Sequence, residues 1–207
     1  AGIVPFTTLG YFKDKEKWEK YYPAEWVTEM REQVRLWFYS LLFMSVTLEG
    51  RAPYERVLAY NSVVAEDGTK FSKTGFMIKF DEAAEKLGAD TIRYLFAAAN
   101  VTTDVRFGFN LGEEARRKLL SFWNIYVFFM TYAMLEKPEL NGAIVPESFE
   151  VTDRWLLART EEFLYAVTDF MDSYKTADVI KAFEMYIDDV SNWYVRSNRR
   201  RFWKQEY

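Results

Sequence analysis

At 207 residues, 50% of them hydrophobic, the chain carries enough apolar mass for one large domain or two smaller ones with a real core. It holds no cysteine and no histidine, which excludes disulfides, thiol nucleophiles, thiolate or imidazole zinc sites and Ser-His-Asp hydrolysis. A net charge of −4 argues against indiscriminate nucleic-acid binding, which goes with a basic excess over a whole domain, and leaves room for local basic patches.

Aromatic residues make up 19% of the chain, so a folded protein with many buried rings is expected. No apolar run is read as approaching the roughly 18 to 20 residues that span a bilayer, and no charged segment followed by an apolar one opens the chain. A cytoplasmic location with no membrane partner is the expectation.

Residues 1–22 mix Gly, Pro and aromatics without a clean period and read as irregular structure with one short helix. From about Ala24 to Leu48 the apolar residues Met30, Val34, Trp37, Phe38, Leu41, Leu42 and Val46 recur at three- and four-residue steps, the spacing of an amphipathic helix that Gly50 ends. Arg56 to Ala65, rich in Val, Leu, Ala and Tyr, reads as a buried strand, and Asp67-Gly68 as a tight turn into a lysine-bearing loop. Asp81 to Leu87 is expected to be a helix stopped by Gly88, and Thr91 to Ala99 a second, capped by Asp90. A polar stretch, Asn100 to Gly112, precedes a long helix from Glu113 through Ala133. A loop with Pro138, Asn141, Gly142 and Pro146 follows, then helices over Asp153 to Asp172 and Thr176 to about Tyr207. The composition suggests a boundary near Gly108 to Gly112, between a mixed α/β part (1–112) and an all-helical part (113–207).

The segment most suited to chemistry is Lys70-Phe71-Ser72-Lys73-Thr74. Transfer of an adenylyl group from ATP builds negative charge on the departing pyrophosphate, so mobile cations are needed beside it together with Mg²⁺. Lys70 and Lys73 can supply that charge, and the Ser72 hydroxyl a hydrogen bond. Taken alone, a Lys-x-Ser-Lys segment after Asp67-Gly68 equally fits a solvated hairpin tip.

That segment resembles the KMSKS loop of class I aminoacyl-tRNA synthetases. Tyr22-Pro23-Ala24-Glu25, Gln33-x-Arg35-x-Trp37-Phe38-Tyr39, Gly88-Ala89-Asp90 and Asp104-Val105-Arg106-Phe107 surround it in the order of the isoleucyl-tRNA synthetases. Trp123-Asn124-x-Tyr126, Asp153-Arg154-Trp155 and the run from Ser191 to Arg201 look like the anticodon-binding helices of the same family, closest to its archaeal and eukaryotic-type branch. The resemblance implies a mainly α protein with a small α/β part. That part would be the second half of a Rossmann-type catalytic domain, followed by a helical anticodon-binding bundle. It also implies ATP with Mg²⁺ and no zinc, tRNA as partner, isoleucine tRNA in particular, and no DNA. The family's second signature, HIGH, contains two histidines and has no counterpart here, so another chain or segment would supply that half. A parallel sheet divided in this way exposes an edge and an apolar face, which favours such a cover.

In the family, the helix entering this region carries Glu-Gly-x-Asp-Gln and Arg-Gly-Trp-Phe toward the aminoacyl-adenylate. The aligned residues here are Glu29, Met30, Arg31, Glu32 and Gln33, then Arg35, Leu36, Trp37 and Phe38. Glu29, Glu32 and Gln33 are thereby placed at the adenylate and Lys70, Ser72 and Lys73 at the phosphates. Met30 and Leu36 replace close-approach glycines and crowd the site; equally, they extend a packing face beside solvated acids. The loop departs as well, with Phe71 for Met, Thr74 for Ser and a tail one residue short.

Arg196, Arg199, Arg200, Arg201 and Lys204 cluster near the C-terminus, interleaved with Trp193, Tyr194, Phe202 and Trp203. Guanidinium forks suit phosphates and aromatic faces suit unstacked bases, so the cluster reads as an RNA surface. On one α-helix, Trp193, Arg196, Arg200 and Trp203 would share a side. Packed aromatics, with arginines paired to Asp188, Asp189 or Glu184, account for the same pattern. Two functional readings follow. One is part of an aminoacyl-tRNA ligase, inactive as this chain alone; the other is a catalytically degenerate paralogue that binds tRNA or protein.

Overall fold

A computed structural model of the chain describes residues 1–137 and 148–203. The loop expected around Pro138, Asn141, Gly142 and Pro146 lies outside them. The chain divides into two compact units, Ala1–Lys70 with Asn100–Arg106, and Phe71–Ala99 with Phe107–Tyr207.

The first unit opens with two short helices, α1 (Val4–Thr8) and α2 (Lys15–Glu19), one more than expected. Pro5 lies in the first turn of α1, where its missing N–H costs nothing, and Asp14 caps α2 by accepting from the Lys17 N–H at 3.0 Å. Phe6, Trp18 and Tyr22 form its core, with Trp18 stacked on Tyr22 at 4.2 Å and its indole N–H donating to the Pro5 carbonyl at 3.1 Å.

Ala24–Leu48 is not one helix. Val27–Met30 is strand β1, Arg31–Arg35 a turn of 3₁₀-helix, and only Trp37–Glu49 is α-helical (α3), ended by Gly50 at φ +69°. The competing pull is tertiary: β1 pairs in parallel with β2 (Val57–Tyr60), Val27 opposite Val57 and Met30 opposite Tyr60. The buried strand expected over Arg56 to Ala65 is two strands separated at Asn61-Ser62: β2, partly exposed along its length, and β3 (Val63–Ala65), whose Val64 and Ala65 are buried. A further strand, β4 (Val105–Phe107), lies in the stretch read as merely polar, and the Val105 N–H donates to the Ser62 carbonyl at 2.9 Å. Asn100 makes the turn before it, its side-chain oxygen accepting from the Thr102 N–H at 3.0 Å and the Thr102 hydroxyl at 2.7 Å.

The second unit holds α4 (Phe80–Leu87), α5 (Ala89–Ala98), α6 (Phe109–Glu136), α7 (Val151–Asp172) and α8 (Thr176–Asp188). Gly88, at φ +80°, ends α4 and starts α5; Asp90 lies inside the first turn and caps nothing with its side chain. Ala83, Leu87 and Phe107 are buried together, with Phe71, Ile78, Ile92, Leu95 and Phe109 around them. α5 packs on α6 and α8, and α7 on α8. Tyr94 of α5 donates to Glu184 of α8 at 2.7 Å, and Lys118 of α6 donates to the same oxygen at 2.7 Å. Burial, then the acceptor Glu184, raises the Tyr94 phenol well above its ordinary range.

By length and composition the stretch Phe109–Leu135 of α6 is apolar enough to cross a bilayer, against the expectation that no such run exists. Its apolar residues are interrupted by Ser121, Asn124 and Thr131.

After α8 the chain changes its winding. Asp189–Val195 is a π-helical stretch, Arg196–Asn198 returns to α for one turn, and Arg199–Phe202 closes in 3₁₀. Such stretches are rare and recur at functional sites. The mainly helical architecture with a few short strands agrees with the fold class read from the sequence.

Candidate functional site

The lysine loop is built from two turns. In the first unit, Gly68 at φ +91° donates its N–H to the Ala65 carbonyl at 2.9 Å, and the Asp67 carboxylate accepts from the Thr69 N–H at 2.8 Å. That bond holds the Asp67 carboxyl below its ordinary range. Val64 and Lys70 form an antiparallel bridge, which presents Lys70 at the end of a short hairpin.

In the second unit, the Ser72 N–H donates to the Phe76 carbonyl and the Gly75 N–H to the Ser72 carbonyl, each at 3.3 Å. A Cβ on Gly75 would lie 2.7 Å from the Ser72 hydroxyl oxygen, a rotatable group on an exposed side chain that would turn aside. Phe71 and Phe76 pack 5.9 Å apart beneath the turn. Lys70, Ser72 and Lys73 are exposed, and neither lysine has an ion-pair partner among the described residues. In the second unit, Lys73 and Ser72 thus offer an uncommitted cation and a hydroxyl, and in the first Lys70 offers an uncommitted cation, each of a kind suited to phosphate oxygens. The division between the compact units falls inside the loop, after Lys70.

Glu29, Glu32 and Gln33 do not lie on one helix. Glu29 is on β1, where its carboxylate accepts from the Met30 N–H at 2.7 Å and the Tyr60 hydroxyl at 3.4 Å. Burial, then Glu29, raises the Tyr60 phenol. Gln33 is occupied locally, its amide oxygen accepting from the N–H of Trp37, the first residue of α3, at 3.1 Å. Glu32 is exposed and lines an open cavity of about 320 Å³ with Arg31, Val34 and Arg35. Leu36 is 56% exposed, so it does not extend a buried packing face.

The arginine cluster separates by partner. Arg201 is structural: its Nη1 and Nη2 donate to the two oxygens of Asp153, each at 2.8 Å, and Nη1 also donates to Asn198 Oδ1 at 3.0 Å. Asp153 further accepts from the Tyr194 hydroxyl at 2.8 Å and the Glu150 N–H at 3.0 Å, completing a capping box at the start of α7. Arg201 above all holds the Asp153 carboxyl well below the usual range. Burial first, then the bond to Asp153, pushes the Tyr194 phenol up to about 12. Asn198, buried, is bonded to Thr152 and to the Tyr194 carbonyl.

Arg199 lies 5.2 Å over the Trp203 ring and 5.9 Å over Phe128, a cation–π arrangement. Arg196 and Arg200 are exposed with no ion-pair partner among the described residues. Lys204 lies outside the described residues. The change of winding also breaks the one-sided face expected of Trp193, Arg196, Arg200 and Trp203: Trp193 packs edge-on to Trp155, while Trp203 packs with Arg199 and Tyr132. The acids offered by sequence proximity are taken by others, Asp189 by Arg159, Glu184 by Lys118 and Asp188 by Asn192. The true partner of Arg201 lies in Asp153-Arg154-Trp155, a motif visible in the sequence but not readable as its mate.

Residues 1–108 match the family of class I tRNA synthetases (I, L, M and V), and residues 153–207 the anticodon-binding domain of tRNA ligases. The chain is 37% identical over its whole length to the isoleucine–tRNA ligase of Thermus thermophilus, and 39% identical over 98% of its length to that of Deinococcus radiodurans. The enzyme of the archaeon Pyrococcus horikoshii matches at 35% over 98%. Bacterial and archaeal relatives thus stand together, and no branch is singled out. The chain spans about a fifth of the length of each of these relatives, 20%, 20% and 19% respectively. Among solved structures, free methionyl-tRNA synthetase of Mycobacterium tuberculosis has a TM-score of 0.71 at 17% identity, covering 96% of this chain and 38% of that one. The LeuRS–tRNA–LeuAMS complex of Agrobacterium radiobacter K84 has a TM-score of 0.70 at 15% identity, covering 85% and 23%. These two likenesses show the fold.

Proposed function

The chain belongs to the class I tRNA synthetases, and from that membership we propose that it is part of an isoleucine–tRNA ligase, contributing the ATP-phosphate loop and the RNA-binding helices to the attachment of isoleucine to its tRNA. The observation that carries the reading is the 37% identity to an isoleucine–tRNA ligase across all 207 residues, lysine loop and arginine run included. In this reading Lys70 and Lys73 neutralise the pyrophosphate leaving group as the carboxylate of isoleucine attacks the α-phosphate of ATP, and Ser72 donates a hydrogen bond to it. Mg²⁺ would be carried by the ATP phosphates and would offset their charge. Glu29 and Glu32 border the adenylate. Arg196, Arg199 and Arg200 meet tRNA.

The chain contains no histidine, so the half of the nucleotide site that carries the HIGH signature comes from elsewhere. Support comes from β1 and β2, which among the described residues form a parallel pair of two strands, and from α3, whose Tyr39, Phe43 and Val46 are each more than half exposed. The test is isoleucine-dependent ATP–pyrophosphate exchange by the purified chain, alone and mixed with a separately produced histidine-bearing half. No exchange alone, exchange on mixing, and a loss of about 10²- to 10³-fold in Lys73→Ala are expected. Exchange by the chain alone overturns the reading.

Met30 and Leu36, bulky where the family has glycine, favour a second reading, a degenerate paralogue that retains RNA binding only. It predicts tRNA retention with no exchange under any mixture.

A further inference from the structure

Glu29 and Tyr60 stand at the same edge of the parallel strand pair. With Met30 opposite Tyr60, β1 and β2 both end where these two side chains meet. Ligands of parallel α/β sheets sit outside the carboxyl ends of the strands, where the outgoing connections leave a crevice. Tyr60 has no part in the ligase reading, and its place in a short apolar run marks it only as a strand residue.

The pair rests on an anchored backbone. The Thr28 hydroxyl donates across the strands to the Leu58 carbonyl at 2.9 Å, and the Val27 N–H to the Arg56 carbonyl at 3.0 Å. Immediately after Tyr60, Asn61 is tied twice to the turn that Asn100 makes, its N–H donating to the Val101 carbonyl at 3.1 Å and its side-chain amide to the Thr102 carbonyl at 3.0 Å. Tyr60 is therefore held from both sides, which limits where its hydroxyl reaches.

That hydroxyl donates to Glu29 Oε2 at 3.4 Å, and the Met30 N–H donates to the same oxygen at 2.7 Å. The longer bond is of the kind that tightens once a ligand completes a site. Because the phenol is raised, it stays a donor across the neutral range. Two donors on one oxygen orient the carboxylate and leave Oε1 without a partner among the described residues. Gln33, by contrast, is spent on the Trp37 N–H. Of the three groups aligned with the adenylate, Glu29 is the one held by another residue's side chain with an acceptor oxygen to spare.

We propose that Tyr60 is a positioning residue, whose hydroxyl together with the Met30 N–H fixes the Glu29 carboxylate so that Oε1 accepts from a hydrogen-bond donor of the isoleucyl-adenylate, the amino group of isoleucine or a ribose hydroxyl. The inference rests on the ligase reading and adds to it the residue that aims Glu29.

The test is isoleucine-dependent ATP–pyrophosphate exchange by the intact chain mixed with the histidine-bearing half. The KM for isoleucine and the KM for ATP are measured separately for the unaltered chain, Tyr60→Phe, Glu29→Ala and the double variant. Tyr60→Phe keeps the ring and removes one neutral hydrogen bond, so a rise of about 3- to 10-fold in one KM is expected, with kcat held within about twofold. A rise in the isoleucine KM assigns the donor to the amino group, and a rise in the ATP KM assigns it to the ribose. Since Tyr60 acts through Glu29, adding Tyr60→Phe to Glu29→Ala is expected to raise that KM no further. An equal further rise in the double variant, a loss confined to kcat, or no change in either KM overturns the positioning role while leaving the ligase reading intact. No exchange by the unaltered mixture removes the ligase reading and this role with it. Circular dichroism of each variant separates lost binding from lost fold.

Discussion

Asp153→Ala removes the acceptor on which the C-terminal segment converges. Four donors lose this acceptor: the Tyr194 hydroxyl and two guanidinium nitrogens of Arg201 at 2.8 Å, and the Glu150 N–H at 3.0 Å, while Arg201 Nη1 keeps its bond to Asn198. The Asp153 side chain is 13% exposed and that of Arg201 41%. Once released, Arg201 turns to water and recovers much of its solvation, so its two bonds contribute well below the sum of charged hydrogen bonds. What is not recovered is the capping box, worth about 0.5–2 kcal/mol, and the half-buried Tyr194 hydroxyl left without an acceptor, about 1–3 kcal/mol. A loss of roughly 1.5–5 kcal/mol follows. Urea unfolding of the intact chain, followed by tryptophan fluorescence, reads it directly, since Trp155 and Trp193 stand 6.1 Å apart beside the network. The pH dependence has a fixed sign. The folded carboxyl is held below its unfolded value, so its contribution is complete above the ordinary aspartate pKa of about 3.9 and is lost as pH falls through the depressed folded value. The gap between wild type and variant is therefore widest near neutrality and narrows in acid. A gap under about 0.5 kcal/mol at pH 7, or one that widens as pH falls, refutes the reasoning.

Two smaller perturbations test the remaining joints. Glu184→Ala leaves the buried Tyr94 hydroxyl without its acceptor and frees Lys118, and is expected to cost about 1–3 kcal/mol in the same urea titration. Lys118→Ala, which removes only the half-exposed partner, is expected to cost less than about 1 kcal/mol. Gly68→Ala forces a Cβ onto a backbone at φ +91° with open space around it, so the penalty is conformational alone, about 1 kcal/mol.

How much of the fold was legible follows from the range of the forces involved. Helix ends set by local chemistry were readable: Gly50 and Gly88 do stop α3 and α4, and Gly68 does turn the chain into the lysine loop. The failures are long-range. Val27–Met30 shares the three- and four-residue apolar spacing of the helix that follows, and only the parallel pairing with Val57–Tyr60 makes it a strand. β4 escaped because Asn100, Thr102 and Thr103 before it look like loop, and its strand character rests on Val105 and Phe107 being buried on a partner, which three residues cannot announce.

The arginine run shows the same limit at the level of the site. Sequence gives five cations within nine residues, and nothing local says which of them is committed to the fold. An arginine is committed when a carboxylate of fixed geometry faces it, and the acid that faces Arg201 lies 48 residues upstream, itself oriented by Tyr194 and Glu150. The nearer acids are already taken by Lys118, Arg159 and Asn192. The arginines of the run without an ion-pair or aromatic partner among the described residues are therefore Arg196 and Arg200. Replacing Arg201 should show chiefly as lost stability, whereas replacing Arg196 should show as a lowered salt slope of tRNA binding at nearly unchanged stability. A run of charges becomes a binding surface by subtraction, once every internal partner has been assigned.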